Sequence, residues 1–85
     1  MFRIFFTPAA ERAYKKLPLE IRERIKIILS GKFAEYPFAP EFRVHKLKPP
    51  FPGYRIRFGD YRMMFEVGPN SIRIYKIKNR KNAYR

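Results

Sequence analysis

YRIRFGDYR, residues 54–62, places Arg55, Arg57 and Arg62 around a Gly-Asp pair. Side chains alternate faces along a strand, so Tyr54, Ile56 and Phe58 point one way while Arg55 and Arg57 point the other. Gly59-Asp60 suits a two-residue hairpin, because Gly at the first central position supplies the positive φ of a type II′ turn. Closing that hairpin pairs Phe58 with Tyr61, Arg57 with Arg62, Ile56 with Met63 and Arg55 with Met64. The three guanidinium groups then share one face, and two of them lie directly opposite each other. Like charges facing across a sheet are destabilising. The fold gains nothing from the arrangement, which points to a use outside the fold.

Outward from the hairpin, the GPN turn at residues 68–70 leads to a last strand, Ser71–Lys78. Pairing Val67 with Ile72 brings Phe65 opposite Ile74 and Glu66 opposite Arg73, all chemically sensible partners. Upstream, Arg43–Leu47 reads as a strand, with KPPFPG as the loop before the hairpin and YPFAPEF as an earlier loop. Phe2–Phe6 reads as a short strand. Thr7-Pro8 follows as an N-cap and first helical residue. Ala10, Ala13, Tyr14 and Leu17 recur at helical spacing, and Pro18 breaks that helix and opens a second. Leu17, Ile21, Ile25, Ile28 and Leu29 form the second helix's apolar stripe, with charged residues on its other faces. Phe33 and Tyr36 suggest a continuation past Gly31. The expected fold is a single α+β domain over residues 1–85, ordered β-α-α-β-β-β, with a helical hairpin on one face of an antiparallel sheet. Ile56, Phe58, Tyr61, Met63, Phe65, Val67, Ile72 and Ile74 should lie beneath the helices. Arg55, Arg57, Arg62, Met64, Tyr75 and Ile77 should occupy the opposite face.

The composition agrees with an anionic partner. Lys and Arg number 20 against 7 Asp and Glu, a net charge of +13, with a pI of about 10.5. Such an imbalance fits nucleic acid or an acidic protein. A membrane surface is disfavoured, since no long basic amphipathic helix is present. Without cysteine there is neither a disulfide nor a thiolate nucleophile. MFRIFFTP is too short for a signal sequence, no apolar run reaches transmembrane length, and the chain reads as soluble and cytoplasmic. A domain of this size buries roughly 60–65% of its unfolded surface, so its core leans on nine Phe and six Tyr. His45 is the only histidine, which rules out a His–His ribonuclease pair and favours a structural or surface role for it. With no Cys, no His pair and no cluster of carboxylates, neither a metal nor another cofactor is expected.

The arginine face with its aromatic and thioether neighbours suits phosphate and base contact. The plain alternative is a solvated face of a very basic protein, and the opposed arginine pair favours a ligand. The closing segment KIKNRKNAYR adds Lys76, Lys78, Arg80, Lys81, Tyr84 and Arg85, a tail able to fold back over that face.

YRIRFGDYRMMFEV, then a strand, then KNRKNAYR resembles the RelE/ParE superfamily of toxin–antitoxin toxins, closest to its RelE-type branch. The shared pattern is a basic strand, a Gly-Asp-Tyr-Arg turn, an apolar strand and a final basic segment closing on Arg-x-x-x-Tyr-Arg. The upstream strand, the helix broken before Leu-Pro and the Lys-Leu-Lys element extend the resemblance over nearly the whole chain.

The resemblance implies a metal-independent mRNA interferase that enters the ribosomal A site and cuts the message. There the 2′-hydroxyl attacks the adjacent phosphate and leaves a 2′,3′-cyclic phosphate. It implies phosphate stabilisation by Arg62 and Arg80, help from Arg55 and Arg57 in activating the 2′-hydroxyl, and a nucleotide-orienting Tyr84. RNA or ribosome contacts fall to Tyr75, Lys76, Lys78, Lys81 and Arg85. The expected partners are the ribosome, mRNA and an acidic antitoxin. One departure matters: where some members carry lysines, this chain has Arg55 and Arg57, and a guanidinium keeps its proton. A lysine-base mechanism does not transfer to those positions. Two alternatives stand beside this one, a gyrase inhibitor of the ParE type and a non-catalytic RNA- or ribosome-binding module.

Overall fold

The computed structural model describes residues 1–79. The elements run β1 (Arg3–Phe6), α1 (Pro8–Lys15), α2 (Leu19–Leu29), β2 (His45–Lys46), β3 (Tyr54–Phe58), β4 (Tyr61–Val67) and β5 (Ser71–Asn79), with 3₁₀ turns at Lys32–Ala34 and Pro40–Phe42. The five strands form one sheet in the order β1-β5-β4-β3-β2. This is the expected α+β arrangement of a strand, a helical hairpin and a three-strand antiparallel meander (β3-β4-β5), with the two-residue β2 as one strand more than the expected order β-α-α-β-β-β. The sheet is mixed rather than wholly antiparallel, because β1 returns through the helical hairpin and the meander to pair parallel with β5. Among the described residues no helix is long and apolar enough to cross a membrane.

Both predicted turns set the register as the sequence implied. Phe58 pairs with Tyr61, Arg57 with Arg62, Ile56 with Met63 and Arg55 with Met64. Gly59 has φ 61 and Asp60 is not at positive φ, which fits a type II′ turn and not I′. After the second turn Val67 pairs with Ile72, Glu66 with Arg73 and Phe65 with Ile74.

Helix α1 starts where its cap dictates, whereas α2 follows Pro18 with no side-chain cap. Thr7 accepts a hydrogen bond from the Ala10 amide at 3.2 Å, with Pro8 as first helical residue. Leu17 and Ile25 bury the hairpin's apolar stripe, and the Tyr14 hydroxyl donates to the Arg22 carbonyl at 3.1 Å, tying α1 to α2. Contrary to expectation, α2 ends at Leu29; Phe33 is reached by a separate 3₁₀ turn and is fully buried, while Tyr36 is exposed. Phe33 packs edge-on against both Phe42 and Phe65, ring centroids 5.4 Å apart in each pair. Such contacts let a small core draw more from each ring than area alone supplies. The expected strand Arg43–Leu47 shortens to two paired residues.

One placement is corrected. Ile77, expected opposite the helices, is only 9 % exposed and belongs to the core beneath them. The cause is a break in the β4–β5 ladder: Phe65 pairs with Ile74 but Met64 pairs with Lys76, so Tyr75 is an extra residue in β5. Such a bulge advances the alternation by one. Beyond it Ile77 turns inward, and Lys76 and Lys78 turn to the arginine face.

Candidate RNA-binding and catalytic face

With the bulge included, two cross-strand rows lie on the face away from the helices. One runs Arg57 (β3), Arg62 (β4), Lys78 (β5); the next runs His45 (β2), Arg55 (β3), Met64 (β4), Lys76 (β5). Directly opposite residues in antiparallel strands stand about 4.5–5.5 Å apart at Cα, so each row holds its cations shoulder to shoulder. A third row pairs Glu66 with Arg73 through a 2.6 Å ion pair, and is the first of the three to bring in a carboxylate.

At the β2–β3–β4 end these rows form a cleft of about 180 Å³ lined by Arg43, His45, Arg55, Arg57 and Arg62. Its lining among the described residues holds four guanidinium groups, one imidazole and no carboxylate. Arg43 reaches it from a left-handed backbone position, φ 48 and ψ 50, and is the sole non-glycine residue of the described chain at positive φ. That conformation costs a non-glycine residue about 1–2 kcal/mol, and strain of this kind gathers where a side chain must be aimed.

At the β5 end, burial first, then the neighbouring Lys76 ammonium and its hydrogen bond, then Arg62 hold the Lys78 pKa below the usual lysine value. The loop at residues 48–53, which contains a cis Pro49–Pro50 bond, crosses this end of the face. The Tyr75 hydroxyl donates to the Pro52 carbonyl at 2.8 Å. Burial and the nearby Glu66 carboxylate raise the Tyr75 pKa against the opposing pull of Arg73.

A sequence profile described as the ParE toxin of type II toxin–antitoxin systems, parDE, matches residues 4–84. The chain belongs to the RelE/ParE superfamily of toxins. Among solved structures this toxin is similar to a chain of the RelB–RelE antitoxin–toxin complex from Methanococcus jannaschii, with 29% identity, 94% of each chain covered and a TM-score of 0.80. It is also similar to a chain of the archaeal RelE–RelB complex from Pyrococcus horikoshii OT3, with 26% identity over 93% of this chain and 94% of that one, TM-score 0.71. Likeness to the intact E. coli RelBE complex, at 20% identity over 93% and 96% of the chains and a TM-score of 0.74, is a likeness of fold. No curated protein matches the sequence.

Of the residues singled out from the toxin's sequence, Arg55, Arg57 and Arg62 come together in the cleft. Lys76 and Lys78 share their face beyond the cleft, and Tyr75 is engaged with the loop. Arg80, Lys81, Tyr84 and Arg85 lie outside the described residues, as does the expectation that the tail folds over the face. Sequence reasoning missed Arg43 and His45. The signal for His45 lay in the register of β2, which no tight turn fixes; once His45 pairs with Arg55, its place in the toxin's cleft follows.

Proposed function

We propose that this toxin is an endoribonuclease that cleaves mRNA in the ribosomal A site, using the arginine cleft to hold the scissile phosphate. The observation that carries this reading is the cleft itself. Four arginines converge where a phosphorane gathers negative charge, and preorganised donors of this kind are worth about 10²–10³ each in rate. The single non-guanidinium polar group in the lining is His45, and imidazole is the side chain suited to exchanging protons at neutral pH. In this reading His45 supplies the base that Arg55 and Arg57 do not.

In the proposed reaction His45 takes the proton from the 2′-hydroxyl. The O2′–P bond forms, the P–O5′ bond breaks, and the departing 5′-oxygen takes a proton from water. Arg57 and Arg62 bind the non-bridging oxygens, and Arg43 and Arg55 orient the phosphate. From the resemblance, Arg80 polarises the leaving side and Tyr84 orients a base. The products are a 2′,3′-cyclic phosphate and a 5′-hydroxyl. The partner that holds the toxin in check is an acidic antitoxin; the M. jannaschii and P. horikoshii structures are themselves complexes with RelB.

Primer extension on a message translated by purified ribosomes tests the reading, with chemical analysis of the new 3′ end. The expected result is cleavage at ribosome-stalled codons with a cyclic phosphate end, reduced about 10²–10⁴-fold in His45→Gln. Intact message combined with inhibited DNA supercoiling would instead establish the gyrase-directed alternative, and salt-sensitive ribosome binding without cutting would establish the binding module.

A further inference from the structure

Phe51 is 39 % exposed and lies outside the core cluster, although it is among the most apolar residues of the chain. It is held there by a fixed loop. The Leu47 amide donates to the Gly53 carbonyl at 2.9 Å and the Phe51 amide to the Lys48 carbonyl at 3.2 Å, while Tyr75 anchors Pro52. Gly53, at φ 86, lies so close to the Phe65 carbonyl that a Cβ there would overlap it, so the loop's end is pressed onto β4. The ring centroid sits 5.5 Å from the Lys76 ammonium and 5.1 Å from that of Lys78. The same ring helps line a second cleft of about 420 Å³, together with Ala9, Ala13, Tyr75, Lys76 and Ile77.

These features converge on one use. We infer that Phe51 is a nucleobase platform, on which a base of the RNA strand stacks while Lys76 and Lys78 hold the adjoining phosphates. Lys78 is the cross-strand neighbour of Arg62, so the platform adjoins the arginine cleft. Lys76 lies two residues further, roughly 6.6 Å along the strand, which is about two stacked base steps of 3.4 Å. A strand whose scissile phosphate sits in the arginine cleft therefore reaches Phe51 with a neighbouring nucleotide. An aromatic face flanked by cations is the usual means of gripping single-stranded nucleic acid without regard to sequence. The inference rests on the RNA-cleaving reading above and adds a subsite to it.

The toxin contains no tryptophan, so Phe51→Trp introduces a single fluorescent indole at the platform. Titration uses a fluorescently end-labelled 2′-O-methyl RNA oligonucleotide, whose blocked 2′-oxygen prevents cleavage, with anisotropy reporting binding. Stacking predicts that the indole emission of Phe51→Trp is quenched along the same isotherm. Phe51→Leu, which keeps the apolar bulk and loses the π-face, should bind about 5- to 150-fold more weakly at an unchanged melting temperature, and Phe51→Tyr should restore binding. Unquenched emission, or wild-type affinity in Phe51→Leu, while Arg62→Ala still weakens binding, overturns the platform and leaves the nuclease reading standing. Binding that neither Phe51→Leu nor Arg62→Ala alters overturns both.

Discussion

Replacing Arg57 by Gln should stabilise the protein while disabling it. Arg57 and Arg62 are directly opposed across β3–β4, and Lys78 continues the same row. Guanidinium centres about 6 Å apart repel by about 0.7 kcal/mol at the dielectric constant of water. Screening over a Debye length of about 8 Å at physiological salt lowers this to roughly 0.3 kcal/mol. Arg57 is exposed, so its removal sacrifices little packing, and the expected gain is about 0.3–0.7 kcal/mol. In a domain of this size that corresponds to a rise in melting temperature of roughly 1–6 °C. The assay is a pair of thermal melts, wild type and Arg57→Gln, at low salt and near 1 M, where the Debye length of about 3 Å should abolish the difference. Message cleavage should fall about 10²–10³-fold in the same variant. A lower melting temperature at low salt, or a rise that persists at high salt, would refute the argument. The side chain would then be contributing to the fold and the cleft would not be a store of repulsion.

Gly53→Ala should cost about 2–4 kcal/mol in urea denaturation, since it adds overlap with the Phe65 carbonyl to a positive φ, whereas Gly59→Ala should cost only about 1 kcal/mol. Equal costs would mean that the loop is not pressed onto β4 as described. Lys76→Gln should raise the Lys78 pKa, followed by NMR titration of its side chain, because Lys76 contributes to the depression both by charge and by hydrogen bond. The sign for stability follows: the folded state disfavours the Lys78 ammonium, so stability from this group rises with pH from the depressed pKa up to the unfolded lysine value. That rise should shrink in Lys76→Gln, and an unmoved Lys78 titration would contradict the shared site.

The sequence made the hairpin legible because Gly59-Asp60 admits one register, and the register alone forces Arg55, Arg57 and Arg62 onto one face. The Val67–Ile72 pairing was legible from the partners it brings together, Phe65 with Ile74 and Glu66 with Arg73. What stayed hidden depended on contacts between distant segments. Simple alternation through IRIYKIK sends Ile77 outward, and only packing beneath α1 shows otherwise. The spacing itself held a clue, since Ile72 and Ile74 keep a period of two and Ile77 breaks it. His45 was undervalued because a seven-residue connection, 47–53, separates it from the strand it pairs with, and no local rule sets that register. Helix α2 looked longer than it is because Phe33 remains in helical phase although the chain has already turned at Gly31.

The bulge at Tyr75 gives β5 two occupations. Its first half is a structural strand, flanked by β1 through the Ile4–Ile72 and Phe6–Ile74 pairs. Its second half presents lysines to solvent on one side and Ile77 to the core on the other. The changeover coincides with the start of a helix. Thr7, which caps α1, donates its amide to the Ile74 carbonyl at 2.9 Å, and its hydroxyl lies 3.5 Å from the Tyr75 carbonyl. One threonine thus sets the beginning of α1 and the point at which β5 changes phase. Loosening Thr7 would unseat more than a helix end: a slip of β5 by one residue would exchange Ile77 for its lysine neighbours and draw positive charge beneath the helices. The chain's cationic surface is in this sense an alignment, tied to the start of α1 through the backbone of the strand that carries its lysines.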